Sequence, residues 1–279
     1  MLKSVSKNEK LKLYGYLLKL LLHKKTRTRQ VVESEYQNGI YKKILESRYW
    51  DECNNLTEFN NIDPMYFHEK GIEEGYYIID NMWCKTTKTS WNSISQDKFL
   101  QIMKKFRNEN KIIELGCGMG RNLFLLKGNG FQNKLVGCDI SENAINIANM
   151  INKKFDLSVE FFKLDLITEK DFNYLTNSTV LTYFVLEQLK YNMKEIIEKI
   201  IDARPTQVIN FEYVPNTLKK DLRYLGSRIY NYAVDYQTNL YTILKQLEKQ
   251  NLIEIKELFR TGYSDNPFRE ISILRWIPL

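Results

Sequence analysis

The sequence predicts an α/β fold in which a mostly parallel sheet, covered by helices on both faces, follows a helical N-terminal extension. Three observations predict it. From Lys111 onward short β-rich runs alternate with helical ones, as strands joined by helical crossovers do. The first run leads straight into a three-glycine turn. The stretch before it, residues 1 to about 105, carries apolar side chains at helical spacing instead.

In chain order, Leu13, Leu17, Leu20 and Leu21 mark one amphipathic helix and residues 31 to 45 a second. Residues 1–95 are accordingly expected to form a helical extension or lid, and residues 96–279 the sheet domain. Expected strands run over Lys111–Leu115, Lys134–Asp139, Val159–Leu164, Thr179–Phe184 and Gln207–Tyr213. Two further β-rich runs, Leu252–Leu258 and Glu270–Trp276, have no helix between them and should pair antiparallel at one edge, completing seven strands.

Composition narrows the classes. The 279 residues are 43% hydrophobic and include 18 Tyr and 14 Phe, enough to bury a sizeable core, which excludes a disordered chain. The apolar run Leu17–Leu22 is broken by Lys19 and lacks a small-residue cleavage site, so it reads as neither membrane span nor signal peptide. A cytoplasmic location is expected. Cys53, Cys84, Cys117 and Cys138 show no paired spacing, and with two histidines no metal-ligand set can be assembled. The net charge of +7 permits an anionic partner without requiring one, since much of the excess lies in the N-terminal stretch.

The motif that carries chemistry is Ile112-Ile113-Glu114-Leu115-Gly116-Cys117-Gly118-Met119-Gly120-Arg121-Asn122: a buried strand, a glycine turn, then a helix. Arg121 stands where a dinucleotide fingerprint has its last glycine, which departs from NAD binding. Asp139 stands at the end of the next strand, where a carboxylate can accept both hydroxyls of a ribose, and Ser141 has the place of a helix N-cap. Asp165 follows the third strand.

Glu114 to Gly120, Asp139 and Asp165 resemble the first three motifs of the S-adenosylmethionine-dependent methyltransferases with the Rossmann-like fold, over roughly residues 90 to 279. The resemblance implies S-adenosylmethionine (SAM) as cofactor. It implies contacts from Glu114, Gly116, Cys117, Gly118, Gly120 and Asn122, the ribose on Asp139 beside Ile140, the adenine by Asp165 and Leu166, and Tyr183 of strand four nearby.

The Asn/Asp-Pro-Pro-aromatic tetrad of base amine methyltransferases and a Pro-Cys pair are both absent after strand four, so an oxygen acceptor is expected. A hydroxyl acceptor needs somewhere for its proton. Glu187, just past strand four, is the first candidate base, Glu212 at the end of strand five the second, and His68 the third. Each has a structural alternative: Glu187 as a helix cap, Glu212 as an arginine partner, His68 as packing. Gly75–Trp83, Leu186-Glu187-Gln188 and Asp265–Glu270 are similar to methyltransferases of bacterial surface-polysaccharide pathways, which implies a sugar, sugar phosphate or related small acceptor. Tyr76, Tyr77, Trp83 and Trp91 then either cover the pocket or form a hydrophobic joint. Two other classes stay open: an RNA or protein methyltransferase using the basic N-terminus, although nucleic acid is not the expected partner, and a non-catalytic cofactor-binding scaffold whose Leu11–Leu22 stripe docks a partner or weakly touches a membrane surface.

Overall fold

A computed structural model describes residues 2–62, 74–218 and 221–279. The extension begins with a short strand β1 (Lys3–Ser4) and helix α1 (Lys7–Leu22), which starts in a capping box: Ser6 accepts from the Glu9 amide, and Glu9 accepts from the Ser6 amide. Then come α2 (Arg29–Glu33), a π-helical turn (Ser34–Tyr41), α3 (Lys42–Ser47), α4 (Tyr49–Glu52) and α5 (Leu56–Asn60). Two strands, β2 (Glu74–Ile79) and β3 (Met82–Thr87), lead into α6 (Lys88–Met103).

The extension is mostly helical, as expected, but it also carries a hairpin that the sequence did not signal. β1, β3 and β2 form a three-stranded antiparallel sheet. Asp80 and Asn81 both adopt positive φ (50° and 65°), the two-residue geometry that matches strand twist. The boundary expected at residues 95 and 96 falls inside α6, and that helix buries Trp91, Phe99 and Met103. Tyr41, Ile44, Phe59 and Tyr77 join Phe124, Phe211 and Ile273 in one apolar cluster, so extension and sheet share a core.

The sheet domain runs β4 (Lys111–Leu115), α7 (Arg121–Gly128), β5 (Lys134–Asp139), α8 (Glu142–Phe155), β6 (Glu160–Lys163), β7 (Thr179–Tyr183), α9 (Met193–Asp202), β8 (Gln207–Tyr213), α10 (Leu222–Val234), α11 (Leu240–Lys249), β9 (Ile253–Arg260) and β10 (Ile271–Pro278). Strand order is β6-β5-β4-β7-β8-β10-β9. The first five are parallel, and β10 runs antiparallel to both neighbours.

β4 lies inside the sheet between β5 and β7, and Ile112, Ile113 and Leu115 are buried on its two faces, which explains why its apolar residues do not alternate with exposed polar ones. One face packs under α7, α8 and α6; the other takes Ile196, Ile197 and Ile200 of α9 and Leu244 and Leu247 of α11. A polar chain crosses the core. Trp276 Nε1 donates to Asn210 Oδ1 at 2.9 Å, and Asn210 Nδ2 donates to Thr182 Oγ1 at 3.0 Å, which fixes β7, β8 and β10 in register while satisfying buried polar atoms. Because β4, β5 and β7 run the same way, their C-terminal ends open on one edge, where the chain reverses direction around the sheet.

Candidate active site

The β4 end turns through Gly116, Gly118 and Gly120, at φ 69°, 54° and 82°. A side chain at Gly118 would be strained at this φ and would also collide with the Tyr41 hydroxyl. Gly118 donates its N–H to Asp139 Oδ2 at 2.8 Å, and Ser141 donates its N–H to Asp139 Oδ1 at 2.8 Å. One carboxylate thereby joins the glycine turn to the start of α8. Burial pushes Asp139 up, against the pull of those two amides. Two of its four acceptor sites are used; the others remain for hydroxyls.

Glu114 is 1% exposed. Its Oε1 accepts from Asn122 Nδ2 at 2.6 Å, whereas Oε2 has no partner among the described residues. Burial pushes this carboxyl up to about 8; the Asn122 bond pulls it down and the Asp139 charge raises it. A buried acid with one unpartnered oxygen at a cavity wall suits a cation, and the ammonium group of a bound amino acid moiety has that charge.

These groups line a cavity of about 330 Å³. Gly116, Cys117, Gly118, Asn122, Ile140, Asp165, Leu166 and Tyr183 line it as well; Gly120 sets the N-terminus of α7 behind it. Tyr183 stacks on Phe211, and burial holds its phenol well above the usual range.

The N-terminal strap, α2 through α3, bridges each of these loops. Arg29 donates from Nε to Asp165 Oδ2 at 2.6 Å, and the Ile167 N–H donates to Asp165 Oδ1 at 3.0 Å. The Tyr36 hydroxyl accepts from Gln188 at 3.1 Å. Gln37 Oε1 accepts from Ser141 Oγ at 2.8 Å and from the Asn143 N–H at 3.0 Å. Tyr36, Gln37 and Tyr41 all lie in the π-helical turn, an irregularity that brings Tyr36 and Tyr41 onto the cavity and Gln37 onto the start of α8.

A second wall comes from α6. Lys88, Trp91, Asn92, Ser95, Gln96 and Phe99 line the cavity at i, i+3, i+4, i+7, i+8 and i+11, one face of a helix. Asn92 and Gln96 donate to the carbonyls of Asn61 and Asn60. Asn60 itself lines the cavity with a buried Oδ1 that has no partner among the described residues. Asp265 lies on the lining too, and no hydrogen bond or ion pair ties its carboxylate among the described residues; its charge acts on Tyr183 and Arg269. Of this wall the sequence singled out Trp91 alone, although the spacing from Lys88 to Phe99 carried the signal for the rest.

The expected catalytic acids sit elsewhere. Glu187 is buried and pairs with Arg269, whose guanidinium lies over Phe184 and Tyr236. Burial raises Glu187 while Arg269 pulls it down. Glu212 Oε1 accepts the N–H groups of Val185 and Leu186 at 3.0 and 3.1 Å, and burial with the Glu187 charge pushes it up to about 8. Neither lines the cavity, because both turn behind the β7 loop they brace. Tyr76 and Trp83 also leave the cavity. The Tyr76 hydroxyl donates to Glu9, and Trp83 packs on Tyr14 and Phe268, forming a joint with α1. Tyr77 stacks on Trp91 from behind at 5.1 Å. His68 lies outside the described residues.

The family model described as a methyltransferase domain matches residues 106–252. The fold is similar to magnesium protoporphyrin IX methyltransferase from Synechocystis PCC 6803 with bound SAH, at 14% identity and TM-score 0.57, covering 90% of this chain and 100% of that one. The SAM-bound form of that enzyme aligns at 13% identity and TM-score 0.54, over 90% and 96%. The PH0226 protein from Pyrococcus horikoshii OT3 aligns at 19% identity and TM-score 0.51, over 67% and 92%. A search of curated proteins finds no match. With its glycine turn and the acids near the C-terminal ends of β4, β5 and β6 on one cavity, the chain belongs to the class I SAM-dependent methyltransferases.

Proposed function

We propose that the protein methylates an oxygen of a small polar acceptor, a sugar or sugar phosphate of a surface-glycan precursor, with SAM held along the β4, β5 and β6 ends. The carrying observation is the α6 face: Asn92, Ser95 and Gln96 beside Trp91, with Lys88 at one end. Amide and hydroxyl groups alternating with an aromatic plane suit a hydroxylated ring, and a lysine suits a phosphate.

With SAM bound, Asp139 would hold the ribose hydroxyls, Asp165 the adenine end and the Glu114 Oε2 the ammonium group. SAM supplies an electrophilic methyl on a sulfonium, whose departure as a neutral thioether leaves the protein mainly the task of alignment. The strap and α6 exclude water and orient the acceptor. Asp265, rather than Glu187 or Glu212, receives the acceptor proton, because its carboxylate is on the cavity with no partner among the described residues.

The test is transfer of labelled methyl from SAM to monosaccharides, sugar phosphates and nucleotide sugars, with RNA and peptide pools alongside. Label is expected in the sugar fraction as a base-stable methyl ether, and Asp265→Asn should cut kcat by at least about a hundredfold while leaving SAM affinity unchanged. Label confined to RNA or peptide would overturn the acceptor class. A wild-type rate in Asp265→Asn would remove Asp265 as base.

A further inference from the structure

We propose that the outward faces of α1 and α10 dock the protein on the surface of an anionic lipid bilayer. Leu11, Leu18 and Leu22 are 69%, 62% and 81% exposed. With Gly15 they follow i, i+4, i+7 and i+11 spacing, which places them on a single stripe along α1. That stripe is not the packing face. Leu13, Leu17 and Leu20 of the same helix pack against Ile78 and Trp83. α10 runs beside α1 and exposes Leu222, Leu225 and Tyr232.

Cations flank the leucines. Lys7, Lys10, Lys12 and Lys19 are exposed on α1, with Lys24 and Lys25 just beyond it, and Lys24 Nζ lies 3.8 Å over the Tyr232 ring. The one acid of α1, Glu9, is spent on the Ser6 cap and faces Lys85. An apolar stripe edged by lysines fits the boundary between acyl chains and anionic headgroups, where leucines insert and lysines reach outward.

A second copy of the chain fits worse, because a two-fold interface would set the lysine rows against each other. A peptide fits worse too, since the leucines stand on the crest of a helix and not in a groove. Among the described residues no helix is long and apolar enough to cross a membrane, so contact is with the surface. The docked helix leads into the strap: the Lys25 N–H donates to the Ala233 carbonyl, the Arg27 N–H donates to Asp235, and α2 with Arg29 follows.

Vesicle sedimentation tests this with the full chain. Wild type should bind phosphatidylcholine vesicles containing phosphatidylglycerol at least about tenfold more tightly than phosphatidylcholine alone, and less as salt rises. Leu18→Ser with Leu22→Ser should weaken that binding at least about tenfold, as should Lys12→Glu with Lys19→Glu, while both variants keep wild-type melting temperature and SAH affinity. Three results would each overturn the proposal: no binding of wild type to the anionic vesicles at low salt, undiminished binding by the leucine variant, or a dimer in light scattering that the leucine substitutions dissolve without any vesicle binding.

Discussion

Arg29 donates from Nε to Asp165 Oδ2 at 2.6 Å, so the N-terminal strap is tied to the acid that follows β6 on the cavity wall. The side chains are 37% and 15% exposed, and a pair so placed is worth about 0.2–1 kcal/mol. Arg29→Ala should therefore raise the dissociation rate of SAH by only ~1.5- to 5-fold. Stopped-flow displacement measures it; an unchanged rate would mean that the strap does not gate release.

Glu114 and Glu212 are both pushed up to about 8 from an ordinary value of 4.5. In that window the folded protein holds more protons than the unfolded chain, so their contribution to stability is full below 4.5 and is lost as pH rises through about 8. Each group should lower stability by up to ~1.4 kcal/mol per pH unit there. Thermal melts of the cofactor-free protein should decline across this range, and Glu114→Gln should flatten the decline. A wild-type slope in Glu114→Gln would contradict the origin assigned to it.

SAM binding carries the opposite sign at Glu114. An ammonium beside Oε2 favours the carboxylate, so binding should release a proton and affinity should rise as pH approaches about 8. Calorimetry in buffers of different ionisation enthalpy reads the proton directly. No release near neutral pH would place the ammonium elsewhere.

Glu187 and Arg269 form a buried ion pair, and removing one partner of such a pair costs about 3–5 kcal/mol. Glu187→Ala should therefore appear as a large loss of stability in urea. Preserved stability with lost transfer would return Glu187 to the catalytic role first expected of it.

The sheet was legible because its signals are local. Ile112, Ile113 and Leu115 flank a single acid and run into glycines, and the five parallel strands fall within a residue or so of their expected ends. The hairpin was not. Glu74 to Thr87 lacks clean alternation, and its turn, Asp80-Asn81, carries no glycine. Strand-end acids told the right edge but not the right side: Glu187 turns away from the cavity because Arg269, 82 residues further on, waits behind it. The strap was legible as helix, yet the π-helical turn that aims Tyr36, Gln37 and Tyr41 depends on packing against α8 and the glycine loop.

The central claim is that SAM occupies this cavity with its ribose on Asp139. Each charge-assisted hydrogen bond to that carboxylate is worth roughly 1.5–3 kcal/mol. Titration calorimetry of SAM into wild type and Asp139→Ala tests it most directly. Wild type should bind one equivalent and the variant at least about tenfold more weakly with its fold retained by circular dichroism; equal affinity in the two proteins would contradict the account.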